Sequence, residues 1–280
     1  MRRLSELLED ARKALAPSGA SHEARLLARR AFLMTDAQFL LHAGDWAEDE
    51  KAETFLSMVN ERLSGRPLQY ILGEWDFLGL RLKVREGTLI PRFDTETAAQ
   101  RAIRAVHETG AESVLDLCCG GGCIAVAVAA NTKAAVTASE VSAAALALTR
   151  ENAELNGVSD RVETIRSNML ESVEGRFGVI VSNPPYIPSG EIAGLDAEVK
   201  DYEPRLALDG GPDGLAFYRT IAIDAPKHLA DHGALILEAG DGQASPVAAL
   251  LASAGFGHIE IIRDLSGKER VVTGTYSEDR

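Results

Sequence analysis

The chain is poor in cysteine, and the few cysteines it has are clustered. Cys118, Cys119 and Cys123 are the only three among 280 residues, and they lie in one short glycine-rich stretch. An odd number of neighbouring cysteines argues against a disulfide framework. A structural zinc site needs about four ligands, and no second Cys/His pair with suitable spacing is present. We therefore predict no metal site.

The chain also lacks a long apolar segment and an excess of basic residues. No run approaches the roughly 18 apolar residues that span a bilayer, and the N-terminal sequence MRRLSELLEDARKAL alternates charge with leucine instead of forming a signal core. We expect a cytoplasmic protein without membrane association. The net charge of -13 argues against direct binding to nucleic-acid phosphates, so a small ligand or a basic protein partner is the better expectation.

The rest of the composition, 46% hydrophobic and 25% charged residues, is that of an ordinary globular protein. In residues 1–64 apolar side chains recur at helical spacing, as at Leu4 and Leu7, and interruptions divide the segment into three or four short helices. Residues 65–92 contain several glycines, and apolar side chains around Leu82 alternate with basic ones, a pattern typical of a β-hairpin. We predict a small N-terminal helical domain followed by a hairpin linker.

Residues 93–280 form the third predicted domain. From Ser113 onward, short strand-like runs alternate with helical patterns, including a helix from about Leu215 to Ala230. Such alternation produces βαβ units with right-handed crossovers and a parallel sheet covered on both faces. Only the short sequence LSGK separates the last two strands, so an antiparallel strand should end the sheet. The predicted fold is α/β, with a doubly wound, mostly parallel, Rossmann-like sheet.

The turn after the first strand of this domain, VLDLCCGGGCIA, is the first candidate site. Ligands of open α/β sheets bind at the carboxyl ends of the strands, and Gly120, Gly121 and Gly122 permit a close backbone approach there. Asp116 ends the strand, and Glu140, one strand later, is placed to hold the two hydroxyls of a ribose. The glycines are consecutive and fail the G-x-G-x-x-G spacing of dinucleotide sites, so the turn favours adenosylmethionine.

The sequence SNPPYIP, which follows the strand GVIVS, is the second candidate site. Each X-Pro bond restricts the preceding residue to an extended conformation, so the turn is stiff. The side-chain oxygen of Asn183 and the carbonyl of Pro184 provide two acceptors for the hydrogens of a planar nitrogen, which aims its lone pair at a methyl sulfonium. Tyr186 supplies a flat wall for the acceptor group. The motif predicts methylation of an amide or an exocyclic amine.

With these motifs the chain resembles the HemK/PrmC family of N(5)-glutamine methyltransferases, which modify the glutamine of the Gly-Gly-Gln loop in class 1 peptide-chain release factors. The resemblance covers nearly the whole chain. It rests on GRPLQYILGEWDF and LIPRFDTET in the linker, VLDLCCGGG, SNPPYIP and YEPRLALDGGPDGL. The Asn-Pro-Pro-Tyr motif is shared with N(6)-adenine methyltransferases, whereas the linker and EPRLALDGG are more specific to the glutamine enzymes.

The resemblance implies a class I methyltransferase-like fold, transfer of a methyl group from S-adenosyl-L-methionine to give S-adenosyl-L-homocysteine, and a class 1 release factor as the protein partner. It implies roles for two sets of residues. The substrate-binding set comprises Asn183, Pro184, Pro185 and Tyr186, and all of these except Pro185 are also the catalytic candidates. The cofactor-binding set comprises Arg92, Phe93, Asp116, Cys118, Cys119, Gly120, Gly121, Gly122, Glu140, Asn168, Met169 and Asn183.

Two departures from the family pattern affect the expected cofactor site. Cys118 replaces the first motif glycine, so we expect a negative φ there. Asn168 and Met169 stand where many relatives have an aspartate and an aromatic residue, so adenine would pack on a thioether.

Two other methyl acceptors remain open at this point. A glutamine methyltransferase acting on a ribosomal protein would have a similar catalytic domain. An N(6)-adenine DNA methyltransferase is less consistent with the sequence, because it would need a basic cleft and an additional recognition region.

Overall fold

The computed structural model describes residues 2–278, and these divide into two compact units. The first unit runs to Glu74 and also includes Ala197–Tyr202. Its elements are the helices α1 (Leu4–Leu15), α2 (Glu23–Phe32), α3 (Asp36–Leu41), α4 (Asp49–Leu63), α5 (Leu68–Leu72) and the short α9 (Ala197–Lys200). The four helices before residue 64 agree with the predicted number.

The core of the first unit is small and partly aromatic. Phe32 packs against Phe39 and Phe55, with ring centroids 6.4 and 5.9 Å apart, and all three side chains are buried. Arg62 is also buried and forms ion pairs with Glu23 and Glu198. A buried guanidinium needs such partners, so this cluster fixes α9 within the helical unit.

The second unit contains Trp75–Asp196 and the chain from Glu203 onward. It begins with the hairpin β1 (Glu74–Phe77) and β2 (Leu80–Lys83). Asn152 accepts a hydrogen bond from the Lys83 amide at 2.7 Å and donates to the carbonyls of Lys83 and Gly121 at 3.2 and 2.9 Å. One buried amide thus joins the hairpin to the glycine-rich turn. The pattern predicted the hairpin but not α5, which precedes it.

The sheet of the second unit has seven strands in the order β5-β4-β3-β6-β7-β9-β8, and only β9 runs antiparallel to its two neighbours. The strands are β3 (Ser113–Leu117), β4 (Ala135–Glu140), β5 (Val162–Arg166), β6 (Phe177–Ser182), β7 (Leu229–Glu238), β8 (Gly257–Arg263) and β9 (Glu269–Thr275). The helices of this unit are α6 (Thr95–Thr109), α7 (Cys123–Asn131), α8 (Ala143–Leu155), α10 (Ala216–Asp224) and α11 (Ala244–Ser253). The predicted doubly wound α/β fold is confirmed. The prediction that an antiparallel strand ends the sheet is wrong, because the antiparallel β9 lies between β7 and the edge strand β8.

Two hydrophobic clusters cover the two faces of this sheet. Val114 of β3 packs with α6, α7 and α8, whereas Leu115 and Leu117 pack with α10 and α11. Both faces of β3 are apolar because a central parallel strand is buried on both sides. The sheet order reverses at β3, since β4 lies on one side of it and β6 on the other, and this switch point is where ligands bind in such folds.

One predicted helix is too long. The expected helix from Leu215 to Ala230 ends as α10 at Asp224, a 3₁₀ turn covers Ala225–Lys227, and β7 begins at Leu229. Pro226 lies inside that turn and has no amide hydrogen for a helical bond, which explains the early end. Within residues 2–278 no helix combines the length and the apolar character needed to cross a membrane.

Candidate active site

A cavity of about 230 Å³ lies at the switch point, beside the carboxyl ends of β3, β4 and β6. It brings together most of the site residues predicted from the sequence. Those that line it are Arg92, Asp116, Cys118, Cys119, Gly120, Gly121, Glu140, Asn168, Met169, Asn183 and Pro185. Gly122, Pro184 and Tyr186 lie next to lining residues in the chain but outside the lining itself. Phe93 is also outside it, and its side chain is 69% exposed.

The glycine-rich turn is shaped by contacts with α8. Gly122 has a φ of +80°, and a Cβ there would lie 2.6 Å from the Thr149 side chain, so only glycine fits. Thr149 in turn donates a hydrogen bond to the Gly120 carbonyl at 3.0 Å. Gly120 also has a positive φ, of +53°, but a Cβ there would meet open space. The backbone of the turn is therefore accessible from the cavity at Gly120.

The prediction of a negative φ at Cys118 is wrong. Its φ is +61°, in the left-handed region that glycine adopts at low cost. The chain must turn at this position to carry β3 into the glycine-rich turn, and that geometry overrides the preference of an L residue. The Cys118 thiol compensates in part by contacting Met169, with 3.7 Å between the sulfur atoms.

Glu140 organises the same turn through its carboxylate. It accepts hydrogen bonds from the amides of Gly120, Val141 and Ser142 at 3.1, 2.9 and 3.0 Å. A carboxylate has about four acceptor positions, so one remains for a ligand hydroxyl. Glu140 is thus a structural anchor of the turn with one acceptor position left at the cavity.

Asp116 is a buried acid with one oxygen unsatisfied. Its Oδ2 accepts a hydrogen bond from the Ala125 amide at 2.8 Å, whereas Oδ1 has no partner among the described residues. Burial, together with the nearby charge of Glu140, raises the pKa of Asp116 to about 8, although the Ala125 amide opposes the shift. An orphaned acceptor at the cavity wall, next to a second acid, fits a cationic ligand with hydroxyl groups. The positive charge and the ribose hydroxyls of adenosylmethionine would fit these two acids.

Asn168 and Met169 also line the cavity. Met169 has a φ of +51°, and its carbonyl accepts a hydrogen bond from Ser139 at 3.3 Å. The Asn168 amide donates to Glu171 at 2.8 Å. The three cysteines at the cavity are free thiols, and burial raises the pKa of each, so they stay neutral at physiological pH.

The Asn-Pro-Pro-Tyr turn leaves the end of β6 and is held at both ends. The Asn183 side chain donates from Nδ2 to the Thr95 hydroxyl at 3.1 Å, which leaves Oδ1 available as an acceptor. The Tyr186 carbonyl accepts a hydrogen bond from Gln243 at 2.9 Å. Burial raises the pKa of Tyr186 to about 12, so its ring is neutral. Pro184 and Pro185 between these anchors are buried.

The segment LALDGG packs directly against this turn. The Ile187 amide donates a hydrogen bond to the Leu208 carbonyl at 2.9 Å, and the Gly210 amide donates to the Ile187 carbonyl at 2.8 Å. A Cβ at Gly210 would lie 2.7 Å from the Tyr186 Cα, so the approach requires glycine. The motif EPRLALDGG therefore has a structural role as a clamp on the Asn-Pro-Pro-Tyr turn.

Sequence reasoning missed several residues of this site. Thr95 and Gln243 hold the Asn-Pro-Pro-Tyr turn, and Glu203 forms an ion pair with the cavity residue Arg92. Arg92 and Glu203 both lie in quoted motifs, but nothing in one sequence indicates that the two motifs meet. Glu238, at the end of β7, is a further buried acid near this turn.

Two family models match separate parts of the chain. Residues 6–73 match the family described as PrmC N-terminal domain, and residues 93–195 match Methyltransferase small domain. The chain is 40% identical over 275 residues to a release factor glutamine methyltransferase of Cereibacter sphaeroides, with 97% of this chain and 98% of that protein covered. This chain belongs to the release factor glutamine methyltransferase family.

A second member of the family is similar to this chain over most of its length. The release factor glutamine methyltransferase of Agrobacterium fabrum is 39% identical over 273 residues, with 94% of each chain covered. Among solved structures, a methyltransferase from Pyrococcus furiosus has the same fold, with a TM-score of 0.52 at 18% identity over 82% of this chain and 100% of that chain. The family and the enzyme class expected from the motifs are confirmed.

Proposed function

We propose that this family member transfers a methyl group from S-adenosyl-L-methionine to the side-chain amide nitrogen of the glutamine in the Gly-Gly-Gln loop of class 1 release factors. The observation that carries the proposal is the position of Asn183. Asn183 lines the same cavity as the glycine-rich turn and the two acids Asp116 and Glu140, and its Oδ1 is not used by the hydrogen bond to Thr95. A cofactor site and an amide-binding turn thus share one cavity.

In this proposal the cavity residues divide into cofactor binding and positioning of the glutamine. Adenosylmethionine supplies an electrophilic methyl group when bound. Asp116 would hold its ammonium through Oδ1, Glu140 would use its remaining acceptor position for the ribose, and the Gly120 backbone would contact the ligand. Asn168 and Met169 border the adenine. The other predicted residues that line the cavity are Arg92, Cys118, Cys119 and Gly121. Phe93 and Gly122 lie next to lining residues in the chain, and their backbone borders the site.

The Asn-Pro-Pro-Tyr turn binds and orients the glutamine. The Asn183 Oδ1 and the Pro184 carbonyl accept the two amide hydrogens, which draws electron density onto the nitrogen and directs its lone pair toward the methyl group. Tyr186 and Pro185 border the apolar space around the amide. No ionised base is needed before transfer, because the proton leaves after the nitrogen has become cationic.

We further propose that the three predicted segments have separate tasks. Residues 1–64 dock the protein partner, residues 65–92 act as a linker, and residues 93–280 carry out the transfer. A single glutamine side chain offers too little contact area to specify a protein substrate, so a second recognition region is required.

The test is methyl transfer from labelled adenosylmethionine to purified class 1 release factor. A release factor with Ala in place of the loop Gln, a ribosomal protein preparation and unmethylated DNA are assayed beside it. Label on the release factor alone, and its loss in the loop variant, is expected. Label on ribosomal protein or DNA instead would overturn the proposed acceptor, and no label on any of them would overturn the proposed reaction.

A further inference from the structure

The cavity at the switch point contains one guanidinium group, that of Arg92. Among the described residues that line the cavity, Arg92 is the only one with a cationic side chain, whereas Asp116 and Glu140 are acids. The proposed binding of adenosylmethionine uses these acids for the ammonium and the ribose, and it uses Asn168 and Met169 for the adenine. It leaves the carboxylate, the only anionic group of the ligand, without a partner.

The Arg92 guanidinium is held by Glu203, which lies beside another segment of the cavity wall. Arg92 Nη2 donates a hydrogen bond to Glu203 Oε1, and the two side chains form an ion pair. The Glu203 side chain is 1% exposed, whereas that of Arg92 is 36% exposed. A buried carboxylate is costly unless a cation pairs with it. The pair therefore fixes the position of a guanidinium that would otherwise move freely on a long side chain.

The backbone around both residues is constrained as well. Pro91 has a fixed φ and lines the cavity directly before Arg92. The Arg92 carbonyl accepts a hydrogen bond from the Thr95 amide at 3.2 Å, where α6 begins. Pro204, which also lines the cavity, keeps the backbone of the preceding Glu203 out of the helical conformation. Both ends of the ion pair are thus in place before a ligand binds.

The guanidinium has donors left for a ligand. It carries five N–H groups, and the hydrogen bond to Glu203 uses one of them. Two neighbouring N–H groups match the two oxygens of a carboxylate, which neutral donors such as the hydroxyls of Thr95 and Ser142 at the same cavity bind less strongly. We propose that Arg92 binds the carboxylate of adenosylmethionine, and that Glu203 is the positioning residue that holds its guanidinium.

This inference rests on the proposed use of adenosylmethionine, and it is tested by ligand binding instead of methyl transfer. The probe is decarboxylated adenosylmethionine, which keeps the sulfonium, ammonium, ribose and adenine and lacks only the carboxylate. Its Kd divided by the Kd of adenosylmethionine, both measured by calorimetry, gives a preference ratio. We expect a ratio of about 10–100 for the wild type, the usual effect of a hydrogen bond between charged groups.

The guanidinium is tested in a variant that has no buried charge at residue 203. Glu203→Gln removes the carboxylate charge but keeps an acceptor oxygen for Arg92, so its preference ratio should stay within about threefold of the wild type. Adding Arg92→Met to Glu203→Gln should abolish the preference, while the decarboxylated ligand binds at least as tightly as before. Arg104→Met, at an exposed position of α6, is the control and should keep the wild-type ratio.

The positioning role of Glu203 is tested by a second neutral substitution. Glu203→Leu and Glu203→Gln both remove the charge, and only leucine also removes the acceptor for Arg92. The preference ratio should therefore be about three- to tenfold lower in Glu203→Leu than in Glu203→Gln, because a free guanidinium must be ordered when the ligand binds. A purely structural role would weaken the binding of both ligands equally and leave the ratio unchanged.

The outcomes distinguish this inference from the proposed function. Wild-type protein that binds neither ligand overturns the proposed cofactor, whereas wild-type protein that binds both equally well overturns only the carboxylate contact. A double variant that keeps the preference, or that loses both ligands together, overturns the role of Arg92. Equal ratios in Glu203→Leu and Glu203→Gln overturn the positioning role of Glu203.

Discussion

Cys118 combines a backbone conformation that favours glycine with a side chain that packs at the cavity. Its φ of +61° suits glycine, whereas its thiol packs near Met169 at the cavity. A non-glycine residue in the left-handed region costs about 1–2 kcal/mol. The sequence shows that Cys118 replaces a motif glycine, but a single sequence does not show whether the backbone changes with the residue. Here the backbone keeps the glycine-like conformation.

In this backbone conformation a glycine variant should be more stable than an alanine variant, the reverse of the usual order in a helix. We expect Cys118→Gly to be more stable than Cys118→Ala by about 1 kcal/mol in urea unfolding, because both variants lose the thiol and only alanine retains the strain. Ala252→Gly in the exposed part of α11 is the control and should be less stable than wild type by about 0.5–1 kcal/mol. Cys118→Ala matching or exceeding Cys118→Gly would show that the left-handed backbone at residue 118 is wrong.

Asn183 is the residue on which the proposed chemistry depends most. Asn183→Ala removes the acceptor for the substrate amide but leaves the glycine-rich turn intact, so kcat should fall by several orders of magnitude. Cofactor Kd, measured by calorimetry, should change less than about threefold. Asn131→Ala, at the exposed end of α7, is the control and should retain wild-type kcat. An equal loss of cofactor affinity in Asn183→Ala would contradict the assigned role.

At the scale of elements, LALDGG and the Asn-Pro-Pro-Tyr turn act as a pair. Gly210 approaches Tyr186 so closely that an added Cβ would lie 2.7 Å from its Cα and 2.9 Å from the Pro185 carbonyl oxygen. We expect Gly210→Ala to displace the turn and to lower kcat about 10–100-fold, because small displacements of positioning groups have effects of that size. Cofactor Kd should change little, since the glycine-rich turn is separate.

Gly190→Ala is the matched control for this prediction. Gly190 lies a few residues after Tyr186, and a Cβ there would meet no atom within 4 Å. Its kcat should equal that of the wild type. If Gly210→Ala also retains wild-type kcat, the clamp is not required for catalysis and the close packing of LALDGG is structural only.

Elements with a clear period could be predicted from the sequence, and those defined by tertiary contacts could not. β3 and α7 are recognisable in the sequence because each is a short, mainly apolar run bordered by glycine or polar residues. The pattern did not predict where α10 ends, because Pro226 lies in a segment that otherwise continues the helical spacing. It also did not predict the contact of Gly210 with Tyr186, which depends on chain crossings that no local pattern encodes.

The same distinction applies to the site. Motif residues such as Asp116, Glu140 and Asn183 were found because their chemistry is recognisable in short segments. Thr95 and Glu238 lie far from Asn183 in the sequence and have no local signature. Strand order brings Glu238 beside Asn183, and α6 brings in Thr95. These residues became visible only when their burial and hydrogen bonds were known.

At the scale of the whole molecule, the buried acids determine how stability depends on pH. Burial raises the pKa of Asp116 to about 8 and that of Glu238 to about 7, whereas both carboxyls titrate near 4 in an unfolded chain. Between pH 4 and those values the folded protein holds protons that the unfolded chain has released. Stability therefore decreases as pH rises through this window, by up to about 1.4 kcal/mol per pH unit for each group.

Other acids oppose this trend only at lower pH. The Arg219 guanidinium lowers the pKa of Asp213 to about 2, so the stability that this pair contributes is lost on acidification below about pH 4.

We thus expect the free energy of unfolding, measured in urea, to be greatest near pH 5 and to fall toward pH 8. Glu238→Gln should reduce the decrease between pH 5 and pH 7, because it removes one of the acids whose pKa is raised by burial. Exposed Glu191→Gln should retain the wild-type slope, and a wild-type slope in Glu238→Gln would show that Glu238 is not the acid that titrates in this range.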